Sequence, residues 1–165
     1  MKKHIIYFFL ISALLIPDLI SPSNGSDLRS IHILFEWSQE PDAAAYNFQI
    51  LLDDVIILDR SEENTVYIEK DLISWNSEYN WRVRPVYQSG EVGDWIGTSN
   101  FSTLGTTLPS LDIDIYNEDL NQDELIMFGQ FSPYFAVGVV DKMGNEIWNT
   151  QVAYMNHIND YGQLY

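Results

Sequence analysis

The residues best suited to chemistry in this chain are few and lie far apart. His157 is the only histidine after residue 104, and no arginine follows that point. Cysteine is absent, which excludes disulfide bonds, thiolate metal sites and a cysteine nucleophile. The chain also has no glycine-rich phosphate loop, nucleophile elbow or histidine metal pair, so we predict no cofactor. His157 is the one candidate catalytic residue, and a structural histidine beside a turn is the alternative that the sequence favours.

A run of oxygen-bearing side chains at alternate positions is the one candidate metal site. Its members are Asn117, Asp119, Asn121 and Asp123. The spacing is that of the first ligands in a calcium-binding loop. Such a loop has glycine at its sixth position and glutamate at its twelfth, where this chain has Gln122 and Phe128. A solvated acidic loop is the interpretation that the pattern favours, and calcium binding is the alternative.

Two arginines in an alternating segment are the main candidate for binding a partner. Arg82 and Arg84 point to the same side of a predicted strand, near Tyr87. Cationic and aromatic side chains together bind glycans or proteins. The alternative is that the two arginines form the polar face of a half-buried strand, which is the more frequent role of such residues. Trp75 and Trp95 are the two tryptophans that the alternation leaves without a role.

The chain is strongly acidic, with 24 acidic and 8 basic residues and a formal net charge of −16. The acidic residues are distributed along the chain and are not confined to a tail. Phosphate backbones are repelled by such a surface, so we expect no nucleic-acid partner. Solubility is the simplest explanation of the charge, with calcium binding as the alternative.

The N-terminus has the pattern of a secretory signal. Lys2 and Lys3 precede an apolar run over residues 5–16, which Pro17 ends. The run is shorter than the roughly 20 apolar residues that span a bilayer, so we expect no stable membrane insertion. We predict a signal peptide over residues 1–25, with an end near residue 16 as the alternative. The protein is then exported, to the periplasm, the cell surface or the extracellular medium.

Residues 17–104 predict a β-sandwich. Seven short segments rich in aromatic and branched residues are separated by turn signals, which is the pattern of an immunoglobulin-like fold. Alternation places Phe35 and Trp37 on one face of a strand, and His32 on the opposite, solvent-facing side. In a later strand it places Tyr79 and Trp81 on the core side.

The residues of this unit resemble a fibronectin type III domain. The resemblance rests on Trp37, Tyr46, Ile73 and the run Tyr79-x-Trp81-x-Val83. It implies that Tyr79 is a corner tyrosine with Ile73 beneath it. Through the face that carries Arg82 and Arg84, we expect this sandwich to bind a protein or a glycan.

A second β pattern follows a linker at residues 105–109. Residues 110–165 contain short apolar segments and the hairpin sequence Asp141-Lys142-Met143-Gly144-Asn145 before a returning strand. The fold class that we predict is therefore all-β, a sandwich followed by an incomplete antiparallel sheet. Because a lone sheet leaves one face and its edges exposed, we expect residues 110–165 to belong to something larger.

This second part resembles the opening blade of an arylsulfotransferase β-propeller. The resemblance rests on the hairpin around Asp141 and Gly144, the returning Trp148, and His157 followed by an Asp-x-Gly turn. In that bacterial family, histidines and an arginine in the central channel transfer a sulfuryl group from an aryl sulfate to a phenol. Residues 105–165 contain nine acidic residues, one lysine and one histidine, a poor match to that chemistry.

Two functions remain open. The chain as it stands is predicted to be an exported, non-catalytic binding or spacer module, belonging to a larger arylsulfotransferase-like protein. The alternative is an enzyme of that family, which transfers sulfuryl groups from aryl sulfates to phenols.

Overall fold

A computed structural model of the protein describes residues 17–108, 125–130 and 136–150. Within these ranges the chain is all-β and forms no helix, as predicted. The strands are β1 (Leu19–Ser21), β2 (Ser26–Leu28), β3 (Ile33–Trp37), β4 (Ala43–Leu52), β5 (Val55–Glu62), β6 (Val66–Glu69), β7 (Glu78–Tyr87), β8 (Gly97–Thr103), β9 (Ile126–Gln130), β10 (Ala136–Val140) and β11 (Glu146–Asn149). No helix that is long and apolar enough to cross a membrane occurs in this part of the chain.

The first eight strands form two sheets of a sandwich. One sheet has the order β1-β3-β6 and the other β2-β8-β7-β4-β5. Strand β2 runs parallel to β8, whereas the other neighbouring pairs in these two sheets are antiparallel. Apolar alternation does not predict β2, since its three residues, Ser-Asp-Leu, include a single apolar side chain. It forms because its backbone pairs with β8.

The sandwich core is built from the alternating residues of both sheets. Phe35 of β3 packs edge-on against Phe48 and Trp81 of the facing sheet, with ring centroids 5.0 Å and 5.3 Å apart. Trp37 stacks on Phe48 at 5.7 Å. All four side chains are buried, and large aromatic rings contribute most of the apolar area that such a core removes from water. The all-β, sandwich-like fold is therefore confirmed.

Tyr79 connects the start of β7 to the loop before it. Its side chain is buried, and its hydroxyl accepts a hydrogen bond of 2.8 Å from the backbone N–H of Ser74. Ile73 is buried in the same core. The Tyr79 hydroxyl thus ties the preceding loop to the sandwich, as the hydroxyl of a corner tyrosine does.

The last three strands form a separate antiparallel sheet with the order β11-β10-β9. The predicted hairpin is present between β10 and β11, where Gly144 has a φ of 82° that suits glycine. Every residue of β10 is buried, whereas Leu125 and Ile126 at the β9 edge are about half exposed. An antiparallel sheet after the sandwich was predicted, and its presence is confirmed.

Candidate functional site

The most elaborate polar structure in the described residues is the junction between the sandwich and the third sheet. Strand β11 pairs with the sandwich as well as with β10, because Ser30 of the sandwich forms an antiparallel bridge with Trp148. The Ile31 N–H donates to the carbonyl of Ile147 at 2.9 Å, and the Asn149 N–H donates to the carbonyl of Arg29 at 3.0 Å. The backbone of residues 29–31 is thus hydrogen-bonded to β11 at the edge of the third sheet.

Glu146, the first residue of β11, lies at the centre of this junction. Its side chain is buried, and its carboxylate accepts hydrogen bonds from the backbone N–H groups of Thr107, at 3.1 Å, and Leu108, at 2.8 Å. The side-chain amide of Asn149 donates to it as well, at 2.5 Å. A buried carboxylate costs free energy unless such donors surround it. The segment that was predicted as a linker is therefore held against β11.

Two side chains that sequence reasoning left unexplained or missed complete this network. The indole N–H of Trp75 donates to the backbone carbonyl of Glu146 at 2.9 Å. Asn149 also donates to the carbonyl of Gly105 at 3.2 Å and accepts a bond of 3.4 Å from Arg29. The one signal in the sequence is a glutamate at the start of a short strand, next to a turn. That signal names no partner for the carboxylate, since its two backbone donors, Thr107 and Leu108, lie about forty residues away.

Leu108 and Gly138 pack closely together at the junction. Leu108 is buried against β10, and a Cβ atom added to Gly138 would lie 2.9 Å from Leu108 Cγ and 3.2 Å from Cδ2. Real Cβ atoms essentially never approach a side chain this closely. Glycine at this position therefore lets the segment before residue 109 lie flat on the sheet.

A cleft of about 660 Å³ opens beside the junction. Sandwich, linker and hairpin residues all line it: Ile31, His32, Lys70, Asp71, Ile73, Ser74, Trp75, Thr106, Leu108, Asp141, Met143, Gly144, Asn145, Glu146 and Ile147. The cleft exists only because the two parts are docked, since neither supplies all of its walls.

His32 lies in this cleft and is half-buried, and is thus less exposed than its outward position in the alternation predicts. Burial, together with the charge of Lys70, lowers the pKa of His32 below its ordinary value of 6.5. Asp141, Asp71 and Glu69 oppose this shift but do not outweigh it. The imidazole is therefore neutral near pH 7.

Asp141 forms the hairpin wall of the cleft. Its carboxylate accepts bonds from the backbone N–H groups of Met143, at 2.8 Å, and Asn145, at 2.9 Å, and from the Asn145 side chain. Burial raises the pKa of Asp141, but these hydrogen bonds and the nearby His32 outweigh it, so the pKa lies below the ordinary 3.8. The carboxylate is engaged in holding the turn.

The predicted catalytic and metal residues fall in the part of the chain that the structure does not describe. His157 and the candidate calcium ligands Asn117, Asp119, Asn121 and Asp123 lie outside the described residues. Among the described residues, no group of three or more His, Asp or Glu side chains is arranged to hold a metal ion. These site predictions stay predictions.

The two arginines of β7 lie elsewhere, on the outer face of the five-stranded sheet. Trp95, which sequence reasoning left unexplained, stacks with both: the guanidinium carbon lies 4.2 Å from the ring centroid for Arg82 and 4.5 Å for Arg84. The predicted aromatic neighbour, Tyr87, makes no such stack among the described contacts.

Comparison with protein-family models, with curated proteins and with solved structures finds no match to this chain. The resemblances to fibronectin type III domains and to arylsulfotransferases therefore depend on the residues quoted above.

Proposed function

We propose that the chain is a non-catalytic binding and spacer module of an exported protein, in which the sandwich holds the β9–β11 sheet in a fixed orientation. The observation that carries the proposal is the Glu146 carboxylate, whose donors come from the linker and from β11 itself. Charge-assisted hydrogen bonds of this kind are short and directional. A flexible tether between two units requires none of them.

The chemistry of the cleft supports a non-catalytic role. Three carboxylates line it, those of Asp71, Asp141 and Glu146. Lys70 is the only permanent cation among the described lining residues, and His32 is neutral. Transfer of a sulfuryl group needs positive donors around the developing negative charge. The described lining of this cleft instead carries more negative than positive charge.

Export belongs to the same proposal and is supported by the sequence alone. The basic start and the apolar run over residues 5–16 form the signal pattern, and both lie outside the described residues. An exported spacer that is rich in acidic residues and free of cysteine stays soluble without disulfide chemistry.

Glu146→Ala tests the spacer role. Removing the carboxylate takes away the acceptor of the buried Leu108 N–H group, at a cost of about 1–3 kcal/mol. We expect backbone amides of β10 to exchange with solvent at least tenfold faster, with β4 and β7 unchanged, measured by hydrogen exchange on the full chain. Glu63→Ala, at an exposed position, is the control. Unchanged exchange in β10 would contradict the proposed role of the carboxylate.

An arylsulfotransferase-like enzyme is the second candidate for the protein to which this chain belongs. The observation that favours it is the hairpin of β10 and β11, which with β9 forms three antiparallel strands of the four that a propeller blade contains. Further Asp-x-x-Gly-x-x-x-Trp hairpins with histidines and an arginine, encoded after Tyr165, would support it. For this chain we expect no transfer from an aryl sulfate to a phenol, and measurable turnover would refute the spacer proposal.

A further inference from the structure

The stack of Arg82, Trp95 and Arg84 is a feature that the spacer role does not use. The two arginines are two positions apart on β7, which places both on the outer face of the five-stranded sheet. Trp95 holds both guanidinium groups within 4.5 Å of its ring centroid. The Nε–H of Arg82 also donates to the Oε1 atom of Gln49 at 2.9 Å. Both cations are thereby fixed in position before any partner arrives.

Neither arginine is neutralised by an acidic side chain. In the described part of the chain, no carboxylate oxygen lies within 4.0 Å of Arg82 or Arg84, whereas Arg60, which also stacks on a ring, forms an ion pair with Glu62. Acidic residues outnumber basic ones three to one in this protein. Two neighbouring cations without a counter-charge are therefore a local exception.

A carboxylate on the neighbouring part of the same sheet is bonded to a glutamine and not to an arginine. Asp59 accepts a hydrogen bond of 2.9 Å from the Nε2 atom of Gln49. Gln49 is thus placed between Asp59 and Arg82, donating to one and accepting from the other. The remaining donors of the Arg82 guanidinium are left for a ligand.

Neutral hydrogen-bonding side chains surround the two arginines. The strand register places Asn47 beside Arg84, and Thr98 beside Arg82. Asn80, on the same face of β7, pairs with Asn100 of β8. All four neutral residues are partly or fully exposed. Amide and hydroxyl groups both donate and accept hydrogen bonds, which suits the hydroxyl groups of sugars.

We propose that this outer face, centred on Arg82, Trp95 and Arg84, binds a saccharide that carries carboxylate groups. A guanidinium group binds a carboxylate through two parallel hydrogen bonds, and the asparagines bind neighbouring hydroxyls. Nucleic acids carry a charge every 1.7 Å or so along the duplex and are repelled by the acidic remainder of the chain. A saccharide with one carboxylate for each sugar ring has a lower charge density. The proposal does not depend on the spacer role.

The test is calorimetric titration of the full chain with a tetrasaccharide of galacturonic acid. Arg84→Gln keeps a polar side chain but removes the charge, and we expect its affinity to fall at least tenfold. Arg60→Gln is the matched control, because it removes a ring-stacked arginine that already has a carboxylate partner. Its affinity should stay within twofold of the unsubstituted protein. The neutral galactose tetrasaccharide should not bind, and equal binding of both sugars would overturn the proposal.

A titration of the unsubstituted protein keeps the proposal testable if Arg84→Gln fails to fold. NMR signals of the Trp95 indole N–H and of the Arg82 and Arg84 Nε–H groups should shift as the galacturonate tetrasaccharide is added. Shifts confined to other parts of the molecule, or no binding at millimolar concentration, would overturn the assignment. Tighter binding of a glutamate-rich peptide or of duplex DNA would overturn the saccharide class.

Discussion

Glu69 shows how one buried carboxylate organises the end of a strand. Its Oε1 atom accepts hydrogen bonds from the backbone N–H groups of Lys70, Asp71 and Leu72, at 3.0, 2.7 and 2.9 Å. The Tyr67 hydroxyl donates to Oε2 at 2.8 Å. Burial raises the pKa of Glu69, but these donors outweigh it, and the pKa lies below its ordinary value of 4.5. The charged form is therefore the one that the fold stabilises.

This shift predicts a specific dependence of stability on pH. Because the folded-state pKa is lower than the unfolded-state value, the stabilisation is complete above about pH 5 and is lost as the pH falls through the folded-state pKa. Glu69→Gln should lower the free energy of unfolding at pH 7 by about 1–3 kcal/mol. Its stability should also fall less steeply than that of the unsubstituted protein between about pH 5 and pH 3.

Urea unfolding at a series of pH values measures both effects of Glu69→Gln. Glu63→Gln, which changes an exposed side chain of the same type, should leave the stability at pH 7 within about 0.5 kcal/mol. Parallel pH profiles for Glu69→Gln and the unsubstituted protein would show that the carboxylate does not contribute through its charge.

Tyr79→Phe tests the loop connection at the start of β7. Phenylalanine fills the same volume but cannot accept the hydrogen bond from Ser74 N–H. We expect a loss of about 0.5–1.5 kcal/mol, the net contribution of one hydrogen bond whose donor residue is exposed, measured by thermal or urea unfolding. Tyr87→Phe, at a partly exposed tyrosine in the same strand, is the control. Equal stabilities of the two variants would show that the Tyr79 hydroxyl adds nothing.

At the scale of single elements, the alternation of buried and exposed residues predicted only those strands that carry it. The core residues of β3, β4 and β7 alternate with more exposed residues, most of which are polar, so their facing and approximate bounds could be predicted from the sequence. Strand β2 lacks that alternation, and it depends on the backbone of β8, more than seventy residues later. The roles of Glu69 and Glu146 could not be predicted either, because backbone N–H groups that bind them have no sequence signature.

Gly138→Ala tests how β10 and the preceding segment fit together. The added methyl group overlaps Leu108, so either Leu108 or β10 must move. We expect a loss of about 1–3 kcal/mol, as for other substitutions that overfill a packed interior. We also expect faster hydrogen exchange in β10 and β11.

Gly129→Ala is the matched control for Gly138→Ala. It makes the same change in β9 of the same sheet, where the added Cβ meets the Ala136 carbonyl oxygen only at 4.0 Å. If both variants are equally stable, Leu108 is not held against Gly138 as described. If Gly129→Ala is the more destabilised variant, the β9 edge is more important to the sheet than the junction.

At the scale of the whole molecule, the docking of the third sheet could not be predicted from the sequence. The contacts between Arg29, Ser30 and Ile31 and strand β11 join residues more than one hundred positions apart. Nothing in the alternation of either segment selects this pairing. A linker composition over residues 105–109 favours two independent units, whereas Thr107 and Leu108 are bonded to Glu146. The candidate site therefore forms only where the sandwich and the third sheet meet. The sequence predicted these two units, but not the contact between them.

The central claim is that the sandwich and the third sheet share one fixed orientation. Residual dipolar couplings of backbone amides, measured on the full chain in one aligned sample, test it most directly. We expect the couplings of residues 17–108 and of residues 136–150 to fit a single alignment tensor. Two tensors of different magnitude or orientation would show that the units reorient independently, and would contradict the spacer role that we propose.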